Sequence, residues 1–161
     1  MYQKIVVPLD GSNLAECVLP HVESIAKGCK AAEIFFVRVV DPARLPAGIE
    51  DGGSAMVEEV MEKIRKRFED GDREGANAYL DRIIRERRLA NVALRKEVLV
   101  GPPAETIAAF AEKSGADLVI IATHGLSGLS RWTMGSVADK ILRAACVPVL
   151  MVRVPGCVPG M

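Results

Sequence analysis

The residues whose types and spacing could do chemistry fall in two places. One is the stretch Ala122-Thr123-His124-Gly125-Leu126-Ser127-Gly128-Leu129-Ser130-Arg131-Trp132-Thr133-Met134-Gly135-Ser136-Val137, and the other is the turn Asp10-Gly11-Ser12. Gly125 and Gly128 permit close backbone approach and positive φ, while Gly135-Ser136 opens a helical run whose unpaired N–H groups and dipole favour an anion. Phosphate is the natural candidate. Asp10 follows an apolar strand, where a carboxylate can accept hydrogen bonds from ribose hydroxyls, as acidic residues do in doubly wound nucleotide sites. The same residues also suit plain duties, since glycines turn a chain and Asp10 or Ser12 caps a helix. Spacing alone leaves both readings open.

Other signatures are missing. There is no Gly-x-x-x-x-Gly-Lys-Ser/Thr loop, no Gly-x-Gly-x-x-Gly after the first strand and no His-Glu-x-x-His. Gly125-Leu126-Ser127-Gly128-Leu129 differs from a nucleophile elbow at Leu129, and no histidine follows Ser127 to serve as base. His124 could contact phosphate or titrate near neutral pH, but a loop histidine donating to a carbonyl is the plainer account. His21 is weaker. Arg131 could reach an outer phosphate, with Arg38 and Arg44 behind it. The cysteines Cys17, Cys29, Cys146 and Cys157 form no Cys-x-x-Cys pair and sit far from the two histidines, so structural zinc is not expected, and the thiols read as buried small hydrophobes, with Cys157 in the tail the exception. No catalytic residue is assigned.

The elements that must position these groups follow a regular rhythm. Ile5-Val6-Val7-Pro8-Leu9 and Ile34 to Val40 are short apolar runs of the kind buried on both faces of a sheet, as is Asp117 to Ala122. Val92–Val100 and Pro148–Arg153 complete five strands. Between them lie helices over 12–28, capped by Ser12 or Asn13, bent by Pro20 and closed by Gly28; over 54–89, weakened near Gly71 and Gly75; over 104–113; and over 136–145. The Pro42–Gly53 segment reads as a loop. Each parallel crossover needs a helix and right-handed crossovers fill both faces. The expected fold is therefore α/β: a three-layer α/β/α sandwich with a five-stranded, mainly parallel, doubly wound sheet, its ligand site at the carboxyl ends of the strands.

Composition agrees with one globular domain. The chain has 161 residues, of which 50% are hydrophobic and 26% charged, and 21 basic side chains balance 21 acidic ones. That neutrality supplies no general pull towards nucleic acid or anionic membranes. No signal peptide or run long enough to span a bilayer is visible, so a cytoplasmic protein is expected. The domain is read as residues 1–153, with an unstructured tail over 154–161.

With these residues in hand, the chain resembles a single-domain universal stress protein of the adenine-nucleotide α-hydrolase-like superfamily, over about residues 2–153. The anchors are Lys4-Ile5-Val6-Val7-Pro8-Leu9-Asp10-Gly11-Ser12, Val37-Arg38-Val39-Val40-Asp41, Gly135-Ser136-Val137-Ala138-Asp139-Lys140-Ile141-Leu142 and Val147-Pro148-Val149-Leu150. The ATP-binding branch of that family carries Gly, two residues, Gly, nine residues, Gly, then Ser or Thr. Here Gly125, Gly135 and Ser136 match the last three positions, and Ala122 takes the first.

The resemblance implies a regulatory module of the stress response that binds ATP or AMP with Mg²⁺. In it Asp10 contacts ribose, the backbone near Val39 meets adenine, and Pro8 and Leu9 wall the base. Ile121, Ala122, His124 and Gly125 line the sugar and phosphates, while Gly135, Ser136 and Val137 hold the phosphates. It further implies a homodimer through the last strand, Val149–Val152, and an unidentified regulatory protein partner. A slow ATPase or nucleotide hydrolase using Asp10 or His124 is the alternative, and a ligand-free dimeric scaffold is a third.

Overall fold

The computed structural model describes residues 2–41, 55–87, 89–123 and 135–153, with the side chains of 55–62, 64, 65, 68 and 69 excepted. Five strands form one sheet: β1 (Lys4–Pro8), β2 (Glu33–Val40), β3 (Ala93–Val100), β4 (Leu118–Ala122) and β5 (Val149–Val152). Their order is β3-β2-β1-β4-β5, and every pairing is parallel. The helices are α1 (Leu19–Cys29), α2 (Ala55–Arg85), α3 (Pro103–Lys113) and α4 (Ser136–Ala144). The sequence-based order of elements and the doubly wound sheet hold, and the sheet is parallel throughout.

Period-two alternation in the strands divides the core into two faces. Ile5, Val7, Ile34, Phe36, Leu118 and Ile120 meet Val18, Val22 and Ala26 around α1 and Leu80 and Ile83 of α2. Val6, Phe35, Val37, Val119 and Ile121 meet Ile107 and Ala111 of α3 and Ala138 and Ile141 of α4. The apolar runs are continuous because both faces are covered, which is why they carry no polar alternation. Phe36, Ile34 and Ile120 are fully enclosed, and no polar or charged residue among those described is buried.

Local boundaries differ from the sequence expectation in instructive ways. The first helical segment is a 3-10 turn, Ala15–Val18, leading into α1. Pro20 therefore falls in the first turn of α1, where a missing N–H costs nothing, and it does not interrupt the helix. Gly28 does not close α1. Lys30 takes the left-handed conformation (φ 54°, ψ 50°), its N–H bonded back into the last turn. The chain must reverse there because the Ala32 and Glu33 N–H groups both bond to Gln3 O, at 2.8 and 3.0 Å, to start β2 beside β1. α2 runs unbroken through Gly71 and Gly75. The thiols are not uniformly buried: Cys17 and Cys29 are half-buried and Cys146 is exposed. Burial raises the Cys17 pKa above the ordinary thiol value. Cys157, the 154–161 tail and the Pro42–Gly53 segment lie outside the described residues.

Because the two faces meet only through the strands, the central side chains carry the stability. Phe36→Ala should lower unfolding free energy by about 3–5 kcal/mol in urea titration. Leu142→Ala, at a position 47% exposed, should change it by about 0.5 kcal/mol or less.

Candidate functional site

The site begins with a proline. β1 pairs with β2 as far as Pro8–Val37, but its pairing with β4 stops at Val6–Val119. Residues of a parallel strand point their N–H groups alternately to the two neighbours, and the Leu9 N–H donates to Val37 O at 2.8 Å on the β2 side. The Pro8 nitrogen therefore faces β4 and has no hydrogen to give. β4 continues away, paired with β5 from Val119–Val149 to Ala122–Val152. The two central strands separate at their carboxyl ends, at the point where the winding of the sheet reverses.

A cavity of about 170 Å³ occupies that gap. A water molecule needs about 10–15 Å³ by the same measure, so the space suits a ligand of many heavy atoms. Pro8, Leu9 and Asp10 line it from β1, Val37, Arg38, Val39 and Asp41 from β2, and Ile121, Ala122 and Thr123 from β4. Gly135, Ser136, Val137 and Ala138 contribute the start of α4, and Pro103 and Ile107 the start of α3. Nine residues singled out from sequence thus share one cavity: Pro8, Leu9, Asp10, Val39, Ile121, Ala122, Gly135, Ser136 and Val137. His124 and Gly125 lie outside the described residues, as do Gly128 and Arg131. Arg38, ranked low from sequence, is on the lining, as is Thr123 from the chemistry-bearing stretch, while Asp41 and the two α3 residues were given no place in the site. Asp41 and Pro103 carry a positional signal, since one follows a strand and the other starts a helix at the same end of the sheet, whereas Ile107 lies within α3 and carries none.

Two features give the cavity its polarity. The Asp10 Oδ1 accepts the Ser12 N–H at 2.9 Å and the Ser12 hydroxyl at 2.6 Å, and the Ser12 oxygen in turn accepts the Ala15 N–H at 3.0 Å. This relay holds the carboxylate at the end of β1 with Gly11 at φ +87°, a conformation natural to glycine. Opposite stands the first turn of α4. The Gly135 N–H is bonded to Thr123 O at 2.8 Å, which ties the helix start to the end of β4. Gly135 is the N-cap and supplies no side-chain cap. Among the described residues the N–H groups of Ser136, Val137 and Ala138 therefore lack a capping acceptor, and their residues line the cavity. Three or four such donors together with the helix dipole attract an anion. Arg38, Asp10 and Asp41 are the charged side chains of the described lining.

The chain and its fold are similar to known proteins. The sequence model described as the Universal stress protein family matches residues 1–153. Universal stress protein MJ0531 of Methanocaldococcus jannaschii is 34% identical over 155 residues, covering 96% of this chain and 84% of that protein. The solved structure of MJ0577 superposes with a TM-score of 0.78 at 28% identity, covering 95% of this chain and 96% of that one. The fold is also shared with a universal stress protein in complex with cAMP (TM-score 0.57, 21% identity, 95% of this chain and 98% of that one). An Arabidopsis thaliana family protein with AMP bound shares it too (TM-score 0.60, 14% identity, 96% and 93%).

The Asp10 relay has a measurable weight of its own. Asp10→Ala removes the acceptor of both Ser12 donors and should cost about 1–3 kcal/mol of stability. Asp10→Asn keeps an oxygen acceptor there and should lose less than about 1.5 kcal/mol, the two being compared by thermal and urea unfolding.

Proposed function

The chain belongs to the universal stress protein family, and from that premise we propose that the cleft between Asp10 and α4 binds an adenine nucleotide, ATP or AMP, as a regulatory module of the stress response. One observation carries this reading: the uncapped first turn of α4 opens onto the same cavity as the Asp10 carboxylate, across the gap where β1 and β4 part. An anion and a polyol sit naturally at opposite ends of such a cleft. Phosphates occupy the Gly135, Ser136 and Val137 N–H groups and the Ser136 hydroxyl, and ribose hydroxyls donate to Asp10. Adenine lies against Pro8 and Leu9 and meets the Val39 backbone. Ile121 and Ala122, with His124 and Gly125, border the sugar and phosphates. The AMP and cAMP bound by two proteins of this fold support that ligand class.

Mg²⁺ fits this site as a companion of the phosphates. Among the described residues no group of three or more His, Cys, Asp or Glu side chains is gathered to hold an ion. Mg²⁺ characteristically takes one or two carboxylates with phosphate oxygens and water, and Asp10 and Asp41 are the carboxylates on the lining. When bound, it would neutralise phosphate charge that those carboxylates otherwise oppose.

The module works as a homodimer in a cytoplasmic setting. β5 is the last strand of the sheet, with Leu150 37% exposed, and a second copy pairing along Val149–Val152 would satisfy its outer backbone groups and cover that side chain. Among the described residues no helix is long and apolar enough to cross a membrane. A regulatory protein partner then reads the nucleotide state of the dimer.

Nucleotide released from freshly denatured protein should be adenine nucleotide by anion-exchange chromatography, and the stripped protein should bind ATP with Mg²⁺ in calorimetry. Gly135→Val should weaken that binding at least about tenfold, equal to about 1.4 kcal/mol, without changing the circular dichroism of the fold. No released nucleotide and no binding heat at several temperatures would overturn the reading. In sedimentation velocity the wild type should run as a dimer and Leu150→Glu should shift it towards monomer, a change that would be missing if the subunits meet elsewhere.

A further inference from the structure

A cluster of charged and aromatic side chains lies against the back of the Asp10 turn, on the α1/α2 face of the sheet. Arg38 belongs to β2 and points to the same face as Phe36 and Ile34, by the alternation of the strand. Its guanidinium carbon lies 5.3 Å from the centre of the Tyr79 ring of α2, within cation–π range. Arg82, one turn further along α2, lies 5.2 Å from the same ring and bonds to Glu16 of the 3-10 turn at 2.6 Å. The Tyr79 ring is thus held between α2, β2 and the segment that follows Asp10.

On its other side Arg38 fills the space beside Gly11. A Cβ built on Gly11 would collide with the Arg38 guanidinium. Arg38 also reaches the cavity lining alongside Asp10. The Tyr79 hydroxyl is buried without a hydrogen bond among the described residues. Burial first, then the neighbouring Glu16 carboxylate, raises its pKa above the ordinary phenol value. Arg38 and Arg82 both rest on the ring of Tyr79, while its hydroxyl lies towards Glu16.

We propose that Tyr79 and Arg38 are positioning residues for Asp10: the ring fixes the guanidinium, the guanidinium packs on Gly11, and the turn so clamped presents the Asp10 carboxylate to the ribose hydroxyls. This rests on the nucleotide reading above. Its consequence is specificity for the sugar. A carboxylate held in one place rewards a ligand with both hydroxyls and loses a hydrogen bond when the 2′-hydroxyl is missing, whereas a carboxylate free to move discriminates less.

The test is calorimetric affinity for ATP and for 2′-deoxyATP, with Mg²⁺, in wild type and variants. Wild type should prefer ATP. Tyr79→Leu should weaken ATP binding about tenfold while leaving 2′-deoxyATP nearly unchanged, collapsing the ratio towards one. Tyr79→Phe keeps the ring and should restore the wild-type ratio. Arg38→Met reads the same clamp from β2 should the α2 variant fail to fold. A folded Tyr79→Leu or Arg38→Met that keeps the wild-type ratio overturns the proposal, as does a Tyr79→Phe that behaves like Tyr79→Leu or a wild type that binds both nucleotides equally. A wild type that binds neither nucleotide overturns the nucleotide reading itself.

Discussion

The architecture of the cleft depends on a hydrogen bond that β1 is unable to make. A central strand of a parallel sheet pairs on both sides, and β1 does so until Pro8, whose nitrogen faces β4 without a proton to offer. The opposite side remains tied by Leu9 to Val37 O. β1 therefore stays with β2 while β4 leaves with β5, and the crevice opens at the place where the order of winding reverses. Everything polar in the site is arranged around that opening. Asp10 stands at the end of one separated strand, and Thr123, at the end of the other, accepts the Gly135 N–H that fixes where α4 begins.

The two halves of the cleft are stabilised in different ways. On the Asp10 side, the carboxylate is engaged locally through Ser12, and the turn is backed by Arg38, Tyr79, Arg82 and Glu16. On the α4 side, the donors of the first turn lack a side-chain cap among the described residues. Leaving helix donors open has a stability cost, and Gly135 at the N-cap supplies no side chain to meet them. The packing beneath is unremarkable by contrast. Branched aliphatic side chains fill both faces, with Phe36 on one and Phe35 on the other.

Much of this was legible in the chain because its signals are local. A continuous apolar run ending in Asp10-Gly11-Ser12 marks a buried strand and a turn, and Gly135-Ser136 before a helical stretch marks an uncapped N-terminus. Pro20 and Gly28 were read less well. Pro20 sits in the first turn because α1 proper starts only at Leu19, and Gly28 is overrun because the pairing of Ala32 and Glu33 with Gln3 O, a contact between distant residues, decides where α1 must stop. The thiols show the same limit: Cys146 has the composition of a core residue and lies exposed beyond the end of α4. Gly71 and Gly75 weaken a helix by propensity, yet α2 passes through both and packs Ala76, Leu80 and Ile83 into the core.

The sequence by itself determined the alternation of strands and helices, the parallel sheet with two covered faces, and the residues that end the strands, because hydrophobic period and turn chemistry act between near neighbours. Only the tertiary structure decided which strand ends share a cavity. Strand order is set by packing across the whole sheet, and it alone brings Asp10, Val39, Ala122 and Ser136 to one cleft. It also decided the role open to Arg38. An arginine within an apolar strand has no assigned partner in the sequence, and its place is settled by the Tyr79 ring from a distant helix and by the absence of a side chain at Gly11.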